Sequence, residues 1–200
     1  MNNLIVFAHP NPNSFGKGIL DEVVKASEES GAAVRIRDLY QLGFDPILKP
    51  ADFETFQRGE VPQDIKDEQE NIKWANMITF IYPVWWAGLP AMLKGYVDRV
   101  YSYGFAYEYV DGQPRGLLTG KKALIFCTTG TPSDVYGANG MHNSMKQTTD
   151  EGIFKFCGIE EVRHNFFGAV PHVSDEIRKD YLRAASEIVK DHISSSKSFA

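Results

Sequence analysis

Three runs of the chain are apolar without alternation: Leu4–Ala8 (LIVFA), Met77–Tyr82 (MITFIY) and Ala123–Cys127 (ALIFC). Uninterrupted runs of this length suit strands buried on both faces of a sheet. Two further segments, Val34–Leu39 (VRIRDL) and Val162–Phe167 (VRHNFF), mix charged with apolar residues as half-exposed strands do, which places them at sheet edges. Between the runs lie patterns of helical period: Phe15–Ser30 closed by Gly31, Gln63–Ala75, Pro90–Tyr101 with proline in its first turn, Met141–Phe156 closed by Gly158, and Ser174–Ser194. Strand alternating with helix predicts a parallel sheet covered on both faces, a three-layer α/β sandwich in one domain over 1–200. With the second and fifth of five strands at the edges, the spatial order is 2-1-3-4-5. Ligands of such sheets sit beyond the carboxyl ends of the strands, at the switch point between strands 1 and 3. The loops His9–Ser14, Pro83–Pro90 and Thr128–His142 are therefore expected to converge. The tail Ser194–Ala200 (SSSKSFA) reads as a frayed end.

Composition narrows the class. At 200 residues and 43% hydrophobic, the chain can bury a core, which excludes intrinsic disorder. A formal net charge of −5 gives no positive field for gathering phosphate backbones, so nucleic acid is not an expected partner. The two cysteines, Cys127 and Cys157, sit in apolar stretches without CxxC or histidine-rich neighbours, so neither disulfides nor zinc are indicated and a reducing cytoplasm is expected. The opening MNNLIVFAHP lacks the basic flank and apolar length of an export signal. The uncharged stretch Asn76–Leu93 is broken by Pro83, Gly88 and Pro90, and reads as strand, turn and helix start rather than a membrane span.

The loops carry the candidate chemistry. The first, AHPNPNSFGKG, leads into Ser14 as a helix N-cap with Lys17 one turn inside. Free N–H groups at such a helix start make a phosphate site, though an ordinary capped helix has the same spacing. Neither GxGxxG nor the Walker GxxxxGKS/T motif is present, which argues against a Rossmann dinucleotide site or a P-loop ATPase. The second loop, YPVWWAGLP, sets Trp85 and Trp86 beside Gly88, as a flat aromatic ligand would require, or as one ring covering the helix–sheet seam would. The third, TTGTPSDVYGANGMH, is rich in small and hydroxylated residues and ends near Tyr136 and His142. Its amides could donate to a ring, and a tyrosine hydroxyl or imidazole could stabilise negative charge there. A lone histidine near a helix start is as readily a cap, so His142 gains weight only from the convergence of the loops. A fourth segment, YSYGFAYEYVDG, alternates Tyr101, Tyr103, Phe105, Tyr107 and Tyr109, which predicts one aromatic face at a subunit interface or pocket wall. No GxSxG elbow occurs, and the five histidines show no HExxH-like spacing, so no metal site is expected.

AHPNPNSF, YPVWWAGLPAMLKGYVDRV, GFAYEY and TTGTPSDVYGANGMH, in this order and spacing, resemble the NAD(P)H:quinone oxidoreductases of the flavodoxin-like superfamily over nearly the whole chain. That family includes the bacterial modulator-of-drug-activity proteins and the ancillary flavoproteins of potassium efflux systems. The resemblance implies a flavodoxin-like fold and a ping-pong flavoenzyme that passes a hydride from NAD(P)H through flavin N5 to a quinone. By position it implies that His9, Asn13, Ser14 and Phe15 hold the flavin's diphosphate, and that Pro83, Val84, Trp85 and Trp86 flank its ring. Thr128, Thr129 and Gly130 match the family's ring-binding turn, Tyr136 and His142 the pair near flavin N1 and O2, and Arg178 an arginine near the adenosine end. Tyr107 and Tyr109 match aromatics that reach the ring from the neighbouring subunit, which implies a homodimer with shared sites; Ala87, where some members carry Phe, widens the pocket. FAD is the implied flavin. Gly16, in place of an asparagine of the mammalian members, removes a polar contact to the diphosphate and leaves FMN as the alternative; Thr131 replaces a second family glycine. Competing readings are a flavin-binding regulatory subunit of a potassium-efflux transporter in the membrane, a flavodoxin-type electron carrier, and an azo- or nitro-compound reductase.

Overall fold

The computed structural model describes residues 1–197. The three apolar runs become β1 (Asn2–Phe7), β3 (Met77–Pro83) and β6 (Lys122–Thr128), and the two mixed segments become β2 (Ala33–Asp38) and β7 (Glu161–Phe167). All five pair in parallel in the order β2-β1-β3-β6-β7, with the mixed strands at the edges. The expected order 2-1-3-4-5 needs correction because the chain has two more strands, β4 (Tyr107–Val110) and β5 (Gln113–Gly116), which leave the sheet and pair only with each other. Their connection, Asp111–Gly112, has φ of 52° and 76°, the left-handed pair that a two-residue hairpin turn needs.

Period two along the central strands sends alternate residues to two cores. Leu4, Val6, Ile78, Phe80, Ala123 and Ile125 face one, completed by α3 (Gln63–Trp74) and α4 (Ala91–Val100). Ile5, Phe7, Met77, Ile81, Leu124 and Phe126 face the other, completed by α1 (Phe15–Glu29) and by the C-terminal helix Asp175–Lys197. Each of these fully buried side chains larger than alanine contributes about 1.5–3 kcal/mol. One polar set interrupts the second core: Asn3 donates to Ser27 Oγ at 3.0 Å and accepts from Thr79 Oγ1 at 2.8 Å, so its buried amide is paired at both ends.

Three helical features were not expected. α2 (Pro50–Gln57) begins on Pro50 and is pinned to α4 by the buried Arg99, which donates to Asp52 at 3.0 and 3.2 Å, to Asp64 at 2.6 Å and to the Asp45 carbonyl at 2.9 Å. α5 (Ser133–Ala138) forms inside the loop expected over 128–142. The single helix expected over 141–156 is instead α6 (Met141–Lys146) followed by a π-helical segment, Gln147–Lys155. The C-terminal helix, α7, follows. It continues through Lys197, so the frayed tail is corrected to that point, and its remainder, 198–200, lies outside the described residues.

The single aromatic face expected over 101–109 does not form, because the strand there, Tyr107–Val110, is only four residues long. Tyr101 caps α4 inside the core, the chain turns over 102–106, and the strand starts at Tyr107. Tyr103, Tyr107 and Tyr109 do meet edge to face, with centroids 5.9 and 6.2 Å apart. Among the described residues no helix is long and apolar enough to cross a membrane; Asn76–Leu93 is β3, a turn and the start of α4.

Candidate functional site

The three expected loops leave the carboxyl ends of the adjacent strands β1, β3 and β6. In the first, Asn11 N–H donates to His9 Nδ1 at 3.0 Å, which puts the ring proton of a neutral His9 on Nε2; burial lowers its pKa. Asn13 N–H donates to Asn11 Oδ1 at 2.9 Å, and its side chain is exposed. Ser14 caps α1 by accepting from Lys17 N–H at 3.2 Å. Phe15 turns away from the loop to meet Tyr181, centroids 6.4 Å apart, at the rim of the second core.

The second loop is a tight turn. Pro83 is buried at the end of β3, and Val84 N–H donates to the Thr128 carbonyl at 2.8 Å, which ties this loop to the third. Trp85 and Gly88 exchange backbone hydrogen bonds around Trp86 and Ala87, whose φ values are 51° and 57°. Both therefore occupy the left-handed region, at about 1–2 kcal/mol each for residues with a Cβ. Trp85 lies 6.3 Å from the His9 ring, and Trp86 is fully exposed, at 103%.

In the third loop Thr129 is turned inward: its N–H donates to Phe167 O at 2.9 Å and its hydroxyl to Thr131 O at 2.6 Å. Its amide is thus occupied, whereas the next residue, Gly130, is exposed and an added Cβ there would meet nothing within 4 Å. The loop is held down at Gly168, where a Cβ would come within 2.5 Å of Ser133 Oγ. Tyr136, on α5, presents an edge contact to His142, on α6, at 5.9 Å and 81°. His142 Nε2 is buried without a hydrogen-bond partner, and burial, then the Lys146 charge and His164, lower its pKa. An orphaned buried nitrogen costs about 1–3 kcal/mol unless a ligand pairs with it.

Ala87, Tyr107 and Tyr109 line a cavity of about 680 Å³ between α4 and the π-helical segment, beside the tryptophan turn. Tyr101 also lines it, its hydroxyl buried and unpartnered, and burial pushes the Cys157 thiol there up to about 12. His9, Trp85, Gly130, Tyr136 and His142 do not line it. The expected site thus falls into two adjoining parts, a strand-end crevice and this cavity, which meet at Ala87. Arg178 stands apart from both, donating to the Val170 carbonyl at 3.1 and 3.2 Å and to Asp175 at 2.6 Å. Among the described residues no group of three or more His, Cys, Asp or Glu could hold a metal.

Sequence reasoning overlooked Asp150, His164 and Phe166, which lie behind His142. The signal was present: His164 and Phe166 are two apart on a strand and so share a face.

The chain matches the family described by the flavodoxin-like fold over residues 1–189. It is 42% identical over 188 residues to an uncharacterized NAD(P)H oxidoreductase of Haemophilus influenzae, covering 94% of this chain and 93% of the relative. It is 31% identical over 199 residues to NAD(P)H dehydrogenase (quinone) 1 of Rattus norvegicus, covering 90% of this chain and 73% of the relative. The solved NAD(P)H:quinone oxidoreductase of Methanothermobacter marburgensis superposes with a TM-score of 0.87 at 28% identity, covering 96% of each chain. With its strand order, its converging loops and these relatives, the chain belongs to the NAD(P)H:quinone oxidoreductase family of the flavodoxin-like fold.

Proposed function

We propose that the protein is a flavin-dependent NAD(P)H:quinone oxidoreductase, moving two electrons from NAD(P)H to quinones or related acceptors. The observation that carries this reading is Trp86, a fully exposed indole held at positive φ on a loop that is tied by Val84 N–H to the Thr128 carbonyl, at the start of the segment that carries Gly130 and, further on, the orphaned His142 Nε2. Strain of this kind persists where a binding surface needs it. An exposed indole, an open glycine amide and an unpaired imidazole together fit a flat conjugated ring with polar edges, so these residues suit an isoalloxazine. A bound flavin supplies the two-electron chemistry itself.

The protein's part is binding and orientation. Pro83, Val84, Trp85 and Trp86 and the adjoining turn Thr128, Thr129 and Gly130, joined by Val84 N–H to the Thr128 carbonyl, would hold the ring, with Gly130 N–H as a donor. Tyr136 and His142 stabilise negative charge at the ring's polar edge through hydroxyl and imidazole. Holding His142 below its usual pKa keeps it neutral at pH 7, able to donate from one nitrogen and accept at the other. His9, Asn13, Ser14 and the backbone N–H of Phe15 hold the diphosphate end, where the first N–H groups of α1 have no intrahelical acceptor, and Arg178 serves the adenosine end of FAD. FAD is the favoured flavin and FMN the alternative. Tyr107, Tyr109 and Ala87 form the acceptor pocket, shared across a homodimer. Two unbridged thiols suit a cytoplasmic setting.

Anaerobic titration of the purified protein with NADH and NADPH tests the reading: bound flavin bleaches and a benzoquinone restores its colour. Failure to bleach sinks it. Mass spectrometry of the released flavin decides FAD against FMN, and a fully active monomer by light scattering would refute the shared site.

A further inference from the structure

His142 is one end of a column of rings. Its imidazole stacks on Phe166 with centroids 4.2 Å apart and planes at 24°. His164 stacks on the same ring at 4.2 Å and 14°, and two rings stacked on one ring take opposite faces. The far end is anchored. The His164 side chain is wholly buried, its Nδ1–H donates to Asp150 Oδ1 at 2.8 Å, and its Nε2 lies 3.4 Å from Cys127 Sγ. Burial pushes the Cys127 thiol well up, so its proton stays in place.

Each part of the column has a local cause. His164 and Phe166 project from one face of β7, and Phe166 pairs in register with Cys127 on β6. Asp150 reaches them from the π-helical segment, a geometry that recurs at functional sites. The imidazole χ2 torsion is soft, and a ring whose Nε2 has no hydrogen bond needs another contact to set its plane. The stack on Phe166, at 4.2 Å, is the face-to-face contact, closer than the Tyr136 edge at 5.9 Å.

We propose that Phe166, His164 and Asp150 are positioning residues for His142: the buried Asp150–His164 pair fixes the plane of Phe166, and Phe166 fixes the plane of the His142 ring. The proposal rests on the role given to His142 above, and it asks more of the molecule than a filled core, because it ties a remote carboxylate to the orientation of one imidazole.

The test compares Phe166→Leu and Asp150→Ala with the conservative Phe166→Tyr and Asp150→Asn, which retain respectively an aromatic face and an acceptor oxygen. In histidine-labelled protein, NMR reads the His142 ring directly. Phe166→Leu is expected to move its ring protons downfield by loss of the Phe166 ring current, and Asp150→Ala to broaden them as the column loosens. Phe166→Tyr and Asp150→Asn should leave them as in wild type. With flavin bound, kcat should fall about tenfold in the two disruptive variants while KM stays within about twofold, the pattern of lost orientation rather than lost binding. If Phe166→Leu does not fold, Asp150→Ala, checked by thermal unfolding, carries the test. His142 signals unchanged in the disruptive variants would overturn the proposal. Absence of flavin or of NAD(P)H oxidation would instead overturn the functional reading, and the NMR comparison would still decide the column.

Discussion

Trp85 and Gly88 exchange two backbone hydrogen bonds, of 3.2 and 3.1 Å, and close a turn whose middle residues, Trp86 and Ala87, both have positive φ. Relief of this strain is measurable. Ala87→Gly removes about 1–2 kcal/mol of left-handed cost and returns about 0.4–1 kcal/mol through greater freedom of the unfolded chain. The variant should gain about 0.5–1 kcal/mol in thermal or urea unfolding. Trp86→Ala, by contrast, removes an exposed ring, so stability should stay within about 0.5 kcal/mol while flavin binding weakens about tenfold. Equal flavin affinity in Trp86→Ala would remove the indole from the site.

Gly95 on α4 lies so close to the chain at Pro46 that a Cβ there would be 2.1 Å from the Pro46 carbonyl oxygen. Backbone cannot give way as a side chain does, so Gly95→Ala should cost about 3 kcal/mol. Gly18 inside α1 is the control: its Cβ would meet only Leu182 Cδ2, at an ordinary 3.6 Å. There alanine should stabilise by about 0.5–1 kcal/mol. The midpoints of denaturant unfolding of the two variants should move in opposite directions.

The contrast between the two glycines also marks what a sequence can carry. The apolar runs at 4–8, 77–82 and 123–127 announce buried strands because both of their faces need apolar residues, and the mixed runs at 34–39 and 162–167 announce edges. Asp111–Gly112 announced the β4–β5 hairpin just as plainly, yet the alternating tyrosines before it read as one long strand. The close approach of Gly95 to Pro46 is long-range and leaves no local trace. At the site, the loops and their aromatic and polar residues were legible. The division between crevice and cavity was not, nor was the inward turn of Thr129, because both depend on how separate strands and helices pack. The π-helical turn that brings Asp150 to His164 has no periodicity distinct from an ordinary helix.

Acid should unfold the protein in a defined window. Burial lowers the pKa of His192, whose side chain is 1% exposed, and it also lowers those of His142 and His9. A histidine depressed in the fold binds fewer protons than the unfolded chain below about 6.5, so its stabilisation is complete above that pH and is lost as pH falls toward the folded value. Unfolding free energy should therefore be level from about pH 7 to 8 and decline below about 6.5. His192 contributes a slope of at most about 1.4 kcal/mol per pH unit. His192→Gln, which cannot titrate, should flatten part of that decline in urea titrations at stepped pH; an unchanged slope would exclude His192 as a source.

Arg99 should be costly to remove alone and cheap to remove with its partner. It is 4% exposed and joins α4 to Asp52, which is 5% exposed. Burial pushes the Asp52 carboxyl up, and the Arg99 guanidinium outweighs it and holds the carboxyl below its usual range. Arg99→Met leaves that buried carboxylate without its guanidinium, with only the Lys49 N–H, among the described residues, still donating to it, and should destabilise by about 3–5 kcal/mol. Combining it with Asp52→Leu should recover most of the loss. A double variant as unstable as the single one would show that packing, not the ion pair, is what Arg99 supplies.

Tyr136 and His142 should act on the same charge, and a double-variant cycle can show whether they do. Tyr136→Phe keeps the ring that meets His142 edge-on at 5.9 Å and removes only the hydroxyl. Stability should therefore stay within about 0.5 kcal/mol, while NAD(P)H-dependent reduction measured by stopped flow slows about tenfold or more. His142→Gln should slow the same step by a similar factor, since an amide can replace the hydrogen bond but not the stacked ring on Phe166. If both groups stabilise one developing negative charge, removing the second adds less than removing the first, and the double variant is slower by less than the product of the single effects. Independent, fully multiplicative losses would mean that hydroxyl and imidazole serve different steps, and the shared role given to the pair would fail even though each residue mattered.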